Sequence, residues 1–188
     1  MTAWFRGCYE AERPARVARR PMRVTIEDTF EIAPADFARL YFEEPFAIAL
    51  SESARIRRTL LRLDREPERI VRHLRCDPLR DVPPPFDTLI TAGFHYVEEL
   101  EFDLAALRGR WRVVPSVFAD RVDASGTIDF EDAGGRVRRV VRGGVAVSVL
   151  GIGGLVERFV VGEVEKSYAA ASAFTREYLS DPSRSGSR

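Results

Sequence analysis

Apolar residues stand at every second position over most of residues 94–149, and from Ile152 to Tyr178 the spacing changes to three and four. The first period is that of a strand with one dry face, the second that of a helix with one dry stripe. Phe94, Tyr96, Leu100, Phe102 and Leu104 alternate with His95, Glu99, Glu101 and Asp103. Trp111, Val113, Pro115, Val117 and Ala119 follow, then Val122, Ala124, Gly126, Ile128 and Phe130. Gly134-Gly135 turns the chain into Val137, Val141, Val145, Val147 and Val149. Successive strands across short turns, wet on one face, form an antiparallel sheet. The helix then carries Val156, Phe159, Val160, Val164, Ala171, Phe174 and Tyr178 inward, with Arg158, Glu165, Ser172 and Arg176 opposite. At 1.5 Å per residue such a helix reaches about 40 Å, enough to lie across a whole sheet. The expected class is α+β, with sheet and last helix closing around an apolar interior.

Upstream, Met22, Val24, Ile26, Phe30 and Ile32 face one side of a further strand. Pro34 suits the first turn of a helix with Phe37, Leu40 and Tyr41 inward. Pro45 opens a second short helix through Phe46, Ile48 and Leu50. Arg55 to Leu63 and Arg69 to Cys76 read as a hairpin, with nine Arg against four acids between Arg55 and Arg80. Such charge protects a sheet edge from aggregation, and is also a surface for transient contact with anionic lipid headgroups. Pro83-Pro84-Pro85 marks a loop, with Leu89 and Ile90 a short piece after it. Residues 1–21 show neither period and are expected to be a loose arm, 22–180 one domain and 181–188 a disordered tail.

Composition narrows the function classes. A chain of 188 residues is long enough for one core without disulfides or metal. Twenty-nine basic side chains against twenty-nine acidic ones leave no surplus for phosphates, so no nucleic acid is expected. Two His and two Cys show no zinc spacing, so neither metal nor cofactor is expected, and Cys76 reads as a small buried hydrophobe. No apolar run approaches the roughly 18 residues of a membrane span. Met1 to Pro21 carries five Arg and no apolar core, so the expected location is cytoplasmic.

Gly151-Ile152-Gly153-Gly154 precedes a helix, but Val156 stands where a dinucleotide fingerprint needs Gly or Ala, and the strands around it are antiparallel. These glycines read as a bend. His73 and His95 fall on wet faces, and no Ser–His or Cys–His spacing supports nucleophilic catalysis. The informative departures are charges on dry faces: Asp28, Arg72, Glu98 and Arg139 on strands, and Glu163 in the helix stripe. Isolated buried charge is costly, so such groups pair, as Asp28 with Arg139 would, or form the polar end of an apolar pocket. Gly162, beside Glu163, costs about 1 kcal/mol relative to Ala and reads as a kink, a close contact or simple tolerance.

This order of elements, with Tyr96-Val97-Glu98, Ser125-Gly126-Thr127-Ile128 and Gly151-Ile152-Gly153-Gly154-Leu155-Val156-Glu157, resembles the START and Bet v 1-like (SRPBCC) superfamily of polyketide cyclases and lipid-transport proteins. Within it the chain resembles a bacterial domain family of unknown function, from Met22 to Leu179. The resemblance implies a helix-grip fold: a curved antiparallel sheet wrapped around a long C-terminal helix, with two short helices after the first strand. It implies no catalytic residue, because the superfamily spans carriers, cyclases, sensors and adaptors. The expected function is binding of a lipid-like, apolar or amphiphilic small molecule in an internal cavity. Its walls would be Tyr96, Leu100, Trp111, Val113, Ile128, Val141, Phe159 and Val160, with Glu98, Arg139 and Glu163 as polar contacts. The alternatives are a cyclase- or dehydratase-type enzyme with Glu98 or Glu163 as general acid–base, and a cavity-free interaction module.

Overall fold

Strand β1 (Met22–Phe30) opens the fold, and helices α1 (Pro34–Tyr41) and α2 (Glu44–Ser53) carry the chain to the far edge of the sheet. There β2 (Ile56–Arg65), β3 (Arg69–Pro78), β4 (Tyr96–Asp103), β5 (Arg108–Pro115), β6 (Val122–Asp132) and β7 (Val137–Val147) return strand by strand, and α3 (Gly153–Ser180) ends the domain. The computed structural model describes residues 21–79, 93–149, 151 and 153–181. Nearly all of the expected arm and tail, Cys8, Ile152, and the loop and short piece around Pro83 to Ile90 lie outside those residues.

The seven strands run in the order β1-β7-β6-β5-β4-β3-β2, and every neighbouring pair is antiparallel. The outer face carries the charged half of the alternation. Arg138 meets Glu27 at 2.5 Å and Glu131 at 3.3 Å, and Arg142 meets Asp129 at 3.2 Å. The exposed Arg138 pairs contribute about 0–1 kcal/mol each, so they keep that face wet rather than hold the fold together, whereas Asp129 is buried beneath its arginines.

The inner face and α3 make the core. Phe30, Phe37, Phe42, Phe102 and Phe130 form an aromatic cluster beneath α1 and α2, and Val24, Ala124, Val145, Val147 and Val161 form a smaller aliphatic one. α3 packs on β1, β7 and α2. Among the described residues, no helix is long and apolar enough to cross a membrane.

Three local expectations are corrected. Ile48 is exposed, because it lies two residues from Phe46 and so on the other side of α2 from Phe46 and Leu50. β5 stops at Pro115, which has no N–H for the ladder, so Val117 and Ala119 belong to the loop before β6. Ser172, expected on the outer face of α3, is buried, as are Glu157 and Thr175, whereas Phe159 is only partly buried. In its first turns the helix turns Val156, Phe159 and Val160 to an open space, whereas further along Phe174 and Tyr178 pack on Phe46.

Candidate functional site

Along the inner face, side chains shrink from the α1 end toward the first turns of α3. Phe30, Phe102 and Phe130 fill the former. Further along the same sheet, Gly126 pairs with Gly143 and Ala124 with Val145 across β6 and β7. The Trp111 ring covers the two glycines, and between this part of the sheet and α3, lined by Ala124 and Val145, lies a cavity of about 370 Å³. That falls in the usual range for small-molecule sites, about 300–1,000 Å³.

The structure places Tyr96, Leu100, Trp111, Val113, Ile128 and Val141 on the sheet wall of this cavity, and Phe159 and Val160 on its helix wall. Glu98, Arg139 and Glu163 also line it. Trp111 forms an aromatic floor. Its indole lies over the glycine pair so closely that a Cβ at Gly143 would come within 2.2 Å of Trp111 Cζ2, and one at Gly126 within 2.7 Å. The ring is anchored where Nε1 donates to the Thr127 carbonyl at 3.1 Å. A Cβ at Gly162 would meet no atom within 4 Å, so that glycine makes no close contact with the sheet. Phe118, which lines the cavity and is 41% exposed, stands at its open end with Arg55 and Pro78.

The charged groups divide into two sets. Arg139, only 1% exposed, donates from Nη2 to Asp28 Oδ2 at 2.6 Å and to Ser172 Oγ at 2.8 Å. Its guanidinium also stands 5.2 Å from the Phe30 ring centre and 5.1 Å from that of Tyr168. The anticipated Asp28–Arg139 pair is therefore present, and this cation reaches the cavity wall already matched. Glu163 lies nearer the rim, its carboxylate 2.7 Å from Lys166 Nζ on the next turn.

The second set is on β2, β3 and β4. Arg58, Cys76 and Tyr96 stand in one row across the three strands. Arg72 Nη2 lies 3.6 Å from Glu98 Oε1, and its guanidinium rests against the rings of Tyr41 and Phe42. Arg58 donates from Nη1 to Ser51 Oγ at 3.3 Å, and its Nε, like those of Arg72 and Arg139, is buried without a hydrogen-bond partner. Burial is the largest influence on the Arg58 charge and opposes it, but Glu98, Cys76, Tyr96 and Tyr41, with Glu98 foremost, together outweigh burial and hold the group above the ordinary arginine range. Burial pushes the Cys76 thiol up to about 11, with Glu98 adding to the shift and Arg58 opposing it. Burial likewise raises the phenols of Tyr96 and Tyr168. At pH 7 all three are neutral groups able to donate a hydrogen bond.

Sequence reasoning missed Arg58, which it grouped with the solvated arginines of the hairpin. The signal was there: alternation puts Arg58 on the same face as Ile56. It also missed Glu157, whose Oε1 accepts the Val147 N–H at 2.9 Å and ties the start of α3 to the end of β7. Among the described residues, no group of three His, Cys, Asp or Glu is arranged to hold a metal ion.

A comparison with curated protein sequences found no match. Among solved structures, the Zhui aromatase/cyclase from Streptomyces sp. R1128 aligns with a TM-score of 0.59 at 11% identity, over 86% of this chain and 96% of that one. TTHA0849 from Thermus thermophilus gives 0.57 at 20% identity, over 85% and 99%. A norcoclaurine synthase point mutant from Thalictrum, in complex with a transition-state analogue, gives 0.57 at 14% identity, over 88% and 100%. Likeness at these identities speaks for the fold alone. The fold is the START/Bet v 1-like helix grip, and, with residues 25–179 matching the family described as "Protein of unknown function (DUF2505)", the chain belongs to that family.

Proposed function

We propose that this domain binds a lipid-like or other apolar small molecule between its sheet and α3. The observation that carries the reading is the cavity of about 370 Å³, walled by Leu100, Trp111, Val113, Ile128, Phe159 and Val160 and polar on its β2–β4 side. Cores ordinarily fill to near crystal density, and unfilled apolar volume costs stability. The α1 end of this same sheet is filled with phenylalanine, so the open volume reflects the residues chosen, not a limit of the fold. A synthase of the same fold has been solved in complex with a transition-state analogue, which supports reading this fold as able to take a small molecule. A cyclase- or dehydratase-type enzyme is the second reading. It is favoured by Glu98 standing with Tyr96 in the cavity wall, a general acid–base candidate beside a neutral donor. The cavity weighs against the packed interaction module.

Two measurements test binding. Native mass spectrometry of protein purified from its own host is expected to show one retained small molecule per chain. Nile red, an uncharged apolar probe, is expected to change Trp111 emission saturably with one site per chain in a Trp4→Phe background. A chain that retains nothing and shows no saturable response is a packed module, and the binding reading then fails.

A further inference from the structure

We infer that the molecule taken by this cavity is an amphiphile with a carboxylate or similar anionic oxygen head, seated on the Arg58 guanidinium. The inference rests on the binding reading above and narrows its ligand class.

The argument is one of charge balance. The wall formed by β2, β3 and β4 brings two guanidinium groups, Arg58 and Arg72, to one carboxylate, Glu98. Glu98 is already engaged by Arg72 at 3.6 Å. That leaves one positive charge of this wall without its own anion. Arg58 is half-buried and its charge already gains from the shared Glu98, and a bound anion would give it an ion-pair partner of its own.

Arg58 has unused bonding capacity to match. Its hydrogen bond to a side chain is the 3.3 Å contact with Ser51 Oγ, and its Nε is buried without a partner. A guanidinium presents its N–H groups as a planar fork that fits the two oxygens of a carboxylate. The flanking side chains do not supply an anion. Burial keeps the Cys76 thiol and the Tyr96 phenol protonated at neutral pH, so neither neutralises the cation, and Tyr96, which lines the cavity, can donate to an incoming oxygen. Arg139 shows the contrast. Its Nε is also buried without a partner, but its Nη2 has Asp28 at 2.6 Å and Ser172 at 2.8 Å, so its charge is matched within the protein. Beyond Arg58 the wall turns apolar through Val113, Trp111 and Phe159, which suits a hydrocarbon or ring tail.

Three probes with the same tail and different heads test this on the full chain at neutral pH: dodecanoate, dodecan-1-ol and dodecylamine, each titrated against Trp111 emission. Dodecanoate is expected to bind about tenfold to a hundredfold more tightly than the alcohol, the effect of charge-assisted hydrogen bonds. Arg58→Gln should bring dodecanoate to the level of the alcohol while leaving alcohol binding within about threefold, and Arg58→Lys should keep part of the preference. Without ligand, Arg58→Gln should melt no lower than the parent, since the cation it removes was poorly partnered. Equal binding of acid and alcohol alongside saturable Nile red binding overturns the anionic head and leaves the cavity reading standing. Tightest binding of dodecylamine assigns the polar end to Glu98 and also overturns it. So does an acid preference that survives Arg58→Gln, or a variant that melts far lower and marks Arg58 as structural. Failure of all three probes and Nile red overturns the cavity reading itself.

Discussion

At the α1 end of the inner face, Phe37 meets Phe130 at 4.9 Å between ring centres, Phe102 meets Phe130 at 5.1 Å, and Phe30 meets Phe37 at 5.3 Å. Toward the first turns of α3, the same sheet presents Ala124, Val145 and Trp111, its indole seated on the Gly126–Gly143 pair, to a helix face of Val156, Phe159 and Val160. One end is a filled core and the other a walled space, though the backbone pattern is the same. The arginines follow the division. Arg139, beside the filled end, faces its acid across a β1–β7 register pair, whereas Arg58 shares its nearest carboxylate with Arg72. Architecture supplies the grip, and side-chain size and charge pairing decide what the grip leaves open.

The largest break in this comparison should come from the filled end. Phe102 is fully buried against Phe42 and Phe130, so Phe102→Ala is expected to cost about 3–5 kcal/mol in chemical denaturation. A cost near 1 kcal/mol would show that this end is as loosely filled as the other.

Arg139→Met comes next, at about 3 kcal/mol, because it strands a nearly buried Asp28 with Arg176, at 3.5 Å, as its remaining partner. Adding Asp28→Leu should restore most of the loss, since replacing a buried pair with apolar residues is close to neutral. Comparable losses from Arg139→Met and Arg58→Met would erase the distinction between the matched and the unmatched cation.

Cys76 sharpens the comparison through pH. Its folded pKa, about 11, lies above the roughly 8.5 of an unfolded thiol, so the native state resists ionising it. The associated stability is fully present below pH 8.5 or so and is lost as pH rises toward about 11, to the extent of roughly 2–3 kcal/mol. Denaturation of the parent and of Cys76→Ala across that range should show the difference between them shrinking by this amount. Parallel curves would mean the thiol is as solvated as in the unfolded chain.

The smallest effect is expected at Phe159. It lines the cavity and is only partly buried, so Phe159→Ala should cost about 1 kcal/mol or less. It should also enlarge the site enough to accept bulkier apolar probes. A loss of 3 kcal/mol or more would place a tightly packed wall where the cavity is.

Much of the fold was legible because both periods are local properties. A strand with one dry face must alternate, and a helix over a dry surface must repeat every three to four residues, so the change of period after Val149 separates sheet from helix without tertiary information. The same alternation picked out Glu98 and Arg139 as inward, and it would have picked out Arg58 had the charge of the hairpin not been read as a block. Helix-face assignment was less secure. Small errors of angle accumulate along α3, and Ser172, which answers to Arg139 on another element, was put on the wrong side.

The sequence by itself therefore determined the elements, their order and the inward face of most strands, since these depend on neighbours two to four residues away. Only the tertiary structure decided which charges are matched and where volume is missing. Asp28 meets Arg139 across 111 residues of chain, and Gly126 comes beside Gly143 beneath Trp111 through the register of three strands. Pairing and packing are sums over such distant contacts, and no local period encodes them.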